Sequence, residues 1–270
     1  MKQDLAQIFN RYFDVLPADS ADLLDEVFKL RYQVYCIENR FENAAEFPDQ
    51  RERDRFDNAR AVYSVVRHRR SGLVAATVRL ILPNPSDPRA PFPIEESCGQ
   101  SFSESGLDTG RLPRNAMAEI SRFAVSKDFK RRLGEAGTVA GVSPKTLLSA
   151  EDPGRQGARM IPHLILGLFT AIVRMSAAHK IGIWYAVMEP SLLRLLERFG
   201  IQFVPIGGMV NYHGMRQPCY GAIDRVLAGI WQRRRDVWRL ITDGGTTWPK
   251  PDKRLLTASE AEKKLRWPLG

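Results

Sequence analysis

The stretch Ala118 to Val125, AEISRFAV, most constrains what this chain can fold into. Ile120, Phe123 and Val125 are apolar and β-prone, and the turn-like SKDFK follows, so the stretch reads as a short strand. It nevertheless carries Glu119 and Arg122, two opposite charges among residues of half-buried character. A buried charge is costly unless it is paired or hydrogen-bonded. In a regular strand, residues three apart point to opposite faces and these two do not meet. A β-bulge between them brings both to one side, and bulges favour places where a side chain is re-aimed beside an active site. The plain alternative is an edge strand with one solvated charge and one surface ion pair.

The chain has 270 residues, 44% hydrophobic and 26% charged, as expected of a folded chain with ample core. Length alone allows one large domain or two small ones. Its net charge of +9 points to an acidic partner, although the runs Arg67 to Arg70, Lys127 to Arg132 and Arg233 to Arg235 equally suit solvated faces. Cys36, Cys98 and Cys219 are odd in number and widely spaced, with no CxxC pair. They suggest neither a disulfide framework nor a zinc site, and a reducing cytoplasm is expected. The start, MKQDLAQIFNRYF, lacks a signal-peptide apolar core, and the apolar run Ile161 to Val173 is too short to span a bilayer. No transmembrane segment is predicted.

Taken in order, Ser20 reads as the N-cap of a helix over Ala21 to Cys36, with Arg31 and Tyr35 on one face. A polar loop follows, in which Asp54 and Asp57 are spaced to converge on one cation or one ammonium group. Ala61 to Arg67 and Leu73 to Leu82 form a predicted hairpin across the RRSG turn, with Arg79 interrupting the second apolar series. The proline-rich connection to Asn115 is long enough for a lid or specificity insert. After the central strand, Lys130, Arg131, Arg132 and Gly134 suit an anion such as a phosphate. Ala158 to Ala178 is an apolar helix, and Ile181 to Met188 a fully buried strand. A helix opened by Pro190 and closed by Gly200 comes next. Phe203 to Ile206 and Gln217 to Ile223 read as final strands around a loop carrying His213 and Arg216, with a helix from Ile230.

This order resembles the GNAT acyltransferase fold, and within it the acyl-homoserine-lactone synthases and long-chain N-acyl amino acid synthases. The resemblance rests on Arg31 and Tyr35, on Phe41 ten residues after that arginine, on Asp54 and Asp57, on Arg79, and on the E-x-S-R-F strand Glu119 to Phe123. The runs YAVMEPSLLRLLERFGI and NYHGMRQPCY resemble the acyltransferases associated with PEP-CTERM/exosortase systems. Tyr35 and Phe41 stand where the synthases usually have Phe and Trp, and the linker from Arg79 to Glu119 is expanded, which suggests a different acceptor. The resemblance implies an α/β (α+β) fold with a central mixed, mainly antiparallel twisted sheet flanked by helices. It implies one such domain over residues 1–228, with inserts at about 83–115 and 135–157, and a helix and tail at 229–270 packing on it.

It also implies an N-acyltransferase that moves a fatty acyl chain from an acyl carrier protein thioester to the amine of an amino acid or related metabolite. Glu119 is then the base, with Arg122 orienting it or pairing with the acceptor carboxylate, and Ser121 beside them. Arg31, Tyr35, Phe41, Asp54, Asp57, Arg79 and Phe123 serve the acceptor side. Lys130, Arg131, Arg132 and Gly134 serve the 4′-phosphopantetheine of the carrier, or the equivalent part of acyl-CoA. No metal and no tightly bound cofactor is implied, and a membrane surface is met only through an acyl product. His213 is an alternative base, and Cys219 a weaker candidate nucleophile. Two alternatives stand beside this reading: an autoinducer synthase using S-adenosylmethionine, and a non-catalytic basic module binding nucleic acid or a carrier protein. Against nucleic acid stands the lack of aromatic residues among the basic runs, save Trp231 and Trp238.

Overall fold

A computed structural model describes residues 4–105, 112–130 and 160–257. Arg131, Arg132 and Gly134 of the expected phosphate site lie outside the described residues, as does the insert at 135–157. The strands are β1 (Phe13–Pro17), β2 (Ala61–His68), β3 (Val74–Ile81), β4 (Met117–Val125), β5 (Ile183–Met188), β6 (Val204–Pro205), β7 (Val210–Asn211) and β8 (Met215–Ala222). They form a sheet ordered β1-β2-β3-β4-β5-β8-β6, with β7 paired to β8. Every pairing is antiparallel except that of β4 with β5, which is parallel. Helices flank this mixed, mainly antiparallel sheet, the architecture the resemblance implies.

The Met160–Ala178 helix lies across β1 to β4 and carries the main core. Leu164, Leu168 and Ile172 on its inner side are fully buried. Gly167 allows the close crossing: a Cβ there comes within 2.8 Å of the Phe9 ring and 3.1 Å of Val66. By length and composition this helix is apolar enough to cross a membrane, yet 72% of that window is buried against the rest of the protein. It is the central helix of the core, several residues longer than the apolar run that sequence suggests.

Ser20 caps the second helix, its Oγ accepting from Leu23 N at 3.3 Å. That helix is α-helical only over Ala21–Arg31 and continues as a π-helix over Tyr32–Glu38, two residues past the expected end at Cys36. Gly200 ends the Pro190–Arg198 helix with φ +82°, which glycine adopts without steric cost. Two expectations are corrected. The Phe203 to Ile206 strand is only Val204–Pro205. The last long helix starts at Ile223, straight out of β8, and breaks at Arg234 before resuming over Arg235–Ile241. The chain also begins with a helix, Leu5–Tyr12, whose Phe9 is buried under the sheet, leading into the edge strand β1.

Candidate active site

β4 and β5 run together only from Met117 opposite Ile183 to Ile120 opposite Ala186. Beyond those residues the two parallel strands part, and a cleft opens between Ser121 to Phe123 on one side and Val187 to Glu189 on the other. The sequence-level bulge exists. Arg79 faces Ser121 while Thr77 faces Ala124, so Val78 opposes two residues of β4. The extra residue is Arg122, held at φ +49°, a left-handed conformation rare for a non-glycine. Its effect is to bring Glu119, Ser121 and Arg122 onto one cleft.

Glu119 is 4% exposed, and its Oε2 accepts from the backbone N–H of Ile94 at 2.8 Å. That donor comes from the Pro93–Cys98 helix, so the proline-rich insert roofs the carboxyl. Burial pushes the Glu119 pKa up to about 8, against the opposing pull of the Ile94 hydrogen bond and of Arg79. Arg122 is not its ion-pair partner.

Arg122 instead belongs to a buried network of three arginines and three carboxylates. Its Nη2 lies 2.8 Å from Glu52 Oε1 and 2.9 Å from Asp54 Oδ2, and its guanidinium sits 4.9 Å over the Tyr35 ring. Arg79 Nη1 is 2.7 Å from both Asp54 and Asp57, so the two aspartates do converge on one cation. Arg79 Nε reaches Ser121 Oγ at 2.9 Å. Arg31, fully buried, forks onto Asp57 at 2.7 and 2.8 Å and onto Glu52 at 2.5 Å. Tyr63 Oη donates to Asp57 at 2.6 Å. Burial alone raises each carboxylate's pKa, but the arginines outweigh it and hold Glu52, Asp54 and Asp57 below the usual carboxylate range. Burial likewise pulls Arg31 and Arg122 down, and the carboxylates more than offset it.

Above this layer the wall of the cleft is aromatic. His213 stacks on Phe41 at 5.3 Å and on Tyr212 at 4.6 Å, and its Nε2 lies 3.1 Å from Glu42 Oε1. Backbone N–H groups of Phe41 and Glu42 both return to Tyr35 O, which seats this loop on the end of the π-helix. Arg216 on β8 faces the same cleft. The opposite end is apolar, lined by Ile120, Phe123, Phe169, Met188 and Leu192.

The structure therefore gathers Arg31, Tyr35, Phe41, Asp54, Asp57, Arg79, Glu119, Ser121, Arg122, Phe123 and His213 in or directly beneath one cleft. Lys127 and Lys130 stand on the short helix after β4. Cys219 is fully buried, donating to Ala186 O at 3.2 Å, and burial raises its thiol pKa, so it is an inert core residue. Sequence reasoning missed Glu52, Glu42 and Tyr212, and it left Arg216 without a role in a loop where the structure has a strand. Glu52 had one available signal: it stands two before Asp54 in an extended RERD, hence on the same side.

Residues 30–140 match the acetyltransferase (GNAT) domain family. No curated protein matches the chain. Among solved structures, TofI in a ternary complex with an inhibitor and MTA is 21% identical, with a TM-score of 0.53 over 81% of this chain and 95% of that one. The CoA-dependent acyl-homoserine lactone synthase BjaI, with SAM and isopentyl-CoA, is 17% identical, with a TM-score of 0.53 over 88% and 92%. The AHL synthase LasI is 18% identical, with a TM-score of 0.50 over 77% and 87%. These likenesses fix the fold as GNAT-like, and with the domain match they support an acyltransferase.

Proposed function

We propose that this protein transfers a fatty acyl chain from an acyl carrier protein thioester to the amine of an amino acid or related metabolite. One observation carries the reading: a buried carboxyl, Glu119, with its pKa raised to about 8, faces a cleft that is polar at one end and apolar at the other. An ordinary glutamate is too weak a base for an ammonium group, and a pKa near 8 brings donor and acceptor closer. In its ionised form Glu119 takes the proton of the ammonium, directly or through a water. The freed amine nitrogen attacks the thioester carbon, the C–N bond forms, the C–S bond breaks, and the thiol leaves carrying a proton. The backbone N–H groups of β4 past Ile120 are the candidate donors to the oxyanion.

The arginine–carboxylate network pairs each of its arginines with at least two carboxylates, which suits a positioning role for the loop over the acceptor. Lys130, Arg131, Arg132 and Gly134 are proposed for the phosphopantetheine phosphate, whether the arm belongs to a carrier protein or to CoA. The carrier is favoured because the basic run suits an acidic protein partner. A single catalytic domain over residues 1–228 and a cytoplasmic location complete the proposal.

The test is mass spectrometry of lipid extracts from a host expressing the wild type or Glu119→Gln. New N-acyl amino acids with the wild type alone support the reading and name acceptor and chain. Equal products from both remove Glu119 from the chemistry.

A further inference from the structure

Three arginines line the cleft beside Glu119: Arg79, Arg122 and Arg216. Two of them are already satisfied. Arg79 holds two carboxylates at 2.7 Å, and Arg122 holds two at 2.8 and 2.9 Å with Glu42 a third at 3.5 Å. An incoming anion gains little from either, because it has to displace a bond that is shorter and better desolvated than the one it makes.

Arg216 differs. It is 8% exposed, its Nε donates to His213 O at 3.2 Å, and its face lies 5.6 Å from the Phe41 ring. Among the described residues its single carboxylate contact is Nη2 to Glu189 Oε1 at 3.4 Å, long for a charge-assisted hydrogen bond. A planar guanidinium held at one edge by a carbonyl and at its face by an aromatic ring keeps the rest of its fork for a bidentate partner. Glu189 is also readily displaced. It stands at the N-cap of the Pro190–Arg198 helix with no side-chain cap bond, so a carboxylate leaving Arg216 finds unpaired N–H groups and the positive end of a helix beside it.

We propose that Arg216 holds the carboxylate of the acceptor, so that specificity for an α-amino carboxylate over a plain amine is set on β8. The inference rests on the N-acyltransferase reading and adds a residue to it. The carboxylate displaces Glu189 from the fork, and its α-amino group is then directed into the cleft that Glu119 lines. Arg122, the sequence-level candidate for this contact, is left to position the Glu42–Asp54 loop.

The experiment uses the full chain with acyl carrier protein and CoA thioesters as donors. The acceptor panel is the protein amino acids and S-adenosylmethionine, each beside its decarboxylated amine or methyl ester. The wild type is expected to favour the free carboxylate by about ten- to a hundredfold in kcat/KM, the range of a charge-assisted hydrogen bond. Arg216→Gln is expected to bring that ratio close to one, chiefly through KM. A ratio as large in Arg216→Gln as in the wild type overturns the assignment, and so does a wild type that acylates both acceptors of a pair equally. In either case the acyltransferase reading stands. A wild type that acylates no amine at all overturns the reading and the inference together. Should melting curves show Arg216→Gln unfolded, Glu189→Gln decides. Removal of the competing carboxylate lowers KM severalfold for carboxylate acceptors only, and an unchanged KM overturns the proposal.

Discussion

Glu52 and Arg122, 70 residues apart in the chain, meet in the interior with Arg122 Nη2 2.8 Å from Glu52 Oε1. The other oxygen of the same carboxylate takes Arg31 Nε at 2.5 Å. One acid thus joins the second helix to the bulge of β4, with Glu52 N also bonded to Phe28 O. Glu52→Gln leaves two buried cations short of a counter-charge and is expected to cost about 3–5 kcal/mol, the range for breaking a buried pair. The urea midpoint measures it. A double variant, Glu52→Gln with Arg122→Gln, is expected to be less destabilised than the sum of the singles, because the two side chains share one network.

Acid acts on the same group. Glu52, Asp54 and Asp57 are held below the usual carboxylate range, so the folded chain binds fewer protons than the unfolded chain as they titrate. Their contribution to stability is complete above the ordinary carboxylate values, about pH 4, and is lost as pH falls through the folded values. Melting temperature is expected to fall steeply below that point, and less steeply in Asp57→Asn.

Glu119 has the opposite sign. Its folded pKa of about 8 lies above its unfolded value, so the folded chain binds the extra proton between the two. That stability is complete below the unfolded pKa and disappears as pH rises through about 8. Glu119→Gln, which cannot ionise, is expected to be more stable than the wild type at pH 9 by on the order of a few kcal/mol, with the gap closing toward pH 4. The wild type kcat/KM is expected to rise with an apparent pKa near 8, a limb missing from whatever activity Glu119→Gln retains. A flat wild-type profile over that range removes Glu119 as the base.

His213 is expected to serve packing. Its ring lies between Phe41 and Tyr212, with Nε2 on Glu42. His213→Ala should lower activity modestly, by about tenfold or less, while leaving the alkaline limb in place. Loss of that limb in His213→Ala transfers the base to histidine.

At the apolar end, Leu192 and Phe169 approach the cleft from two different helices. Leu192→Phe is expected to shorten the acyl chains accepted, seen as a shift in the mass distribution of products. Each methylene excluded is worth roughly 1–3 kcal/mol of discrimination. An unchanged distribution places the chain elsewhere.

The central strand was legible because Glu119 and Arg122 cannot both be buried in a regular strand, and the physical remedy for that conflict is a bulge. The aspartate pair was legible from its spacing. Glu52 was not, because an acid in an arginine-rich run looks solvated until Arg31 and Arg122 are known to approach from opposite sides. Arg216 was hidden for a related reason: a turn-rich loop gives no periodicity, and only its pairing opposite Val210 sets its direction. The helix after β8 was misplaced because Ile223 continues the strand's apolar pattern directly into the helix. β1 was missed because FDVLP is five residues long and ends in proline.

The parting of β4 and β5 leaves main-chain donors and acceptors in the middle of a sheet rather than at its rim. A guest bearing amide groups of its own can complete the ladder there, as an added strand does at an exposed edge. Recognition of that kind is written in peptide groups, which every residue possesses, so no side-chain exchange erases it. On the proposed reading the acceptor can change through Arg216 and the acyl chain through Leu192, while a hold on the peptide groups of a donor stays the same from one variant to the next.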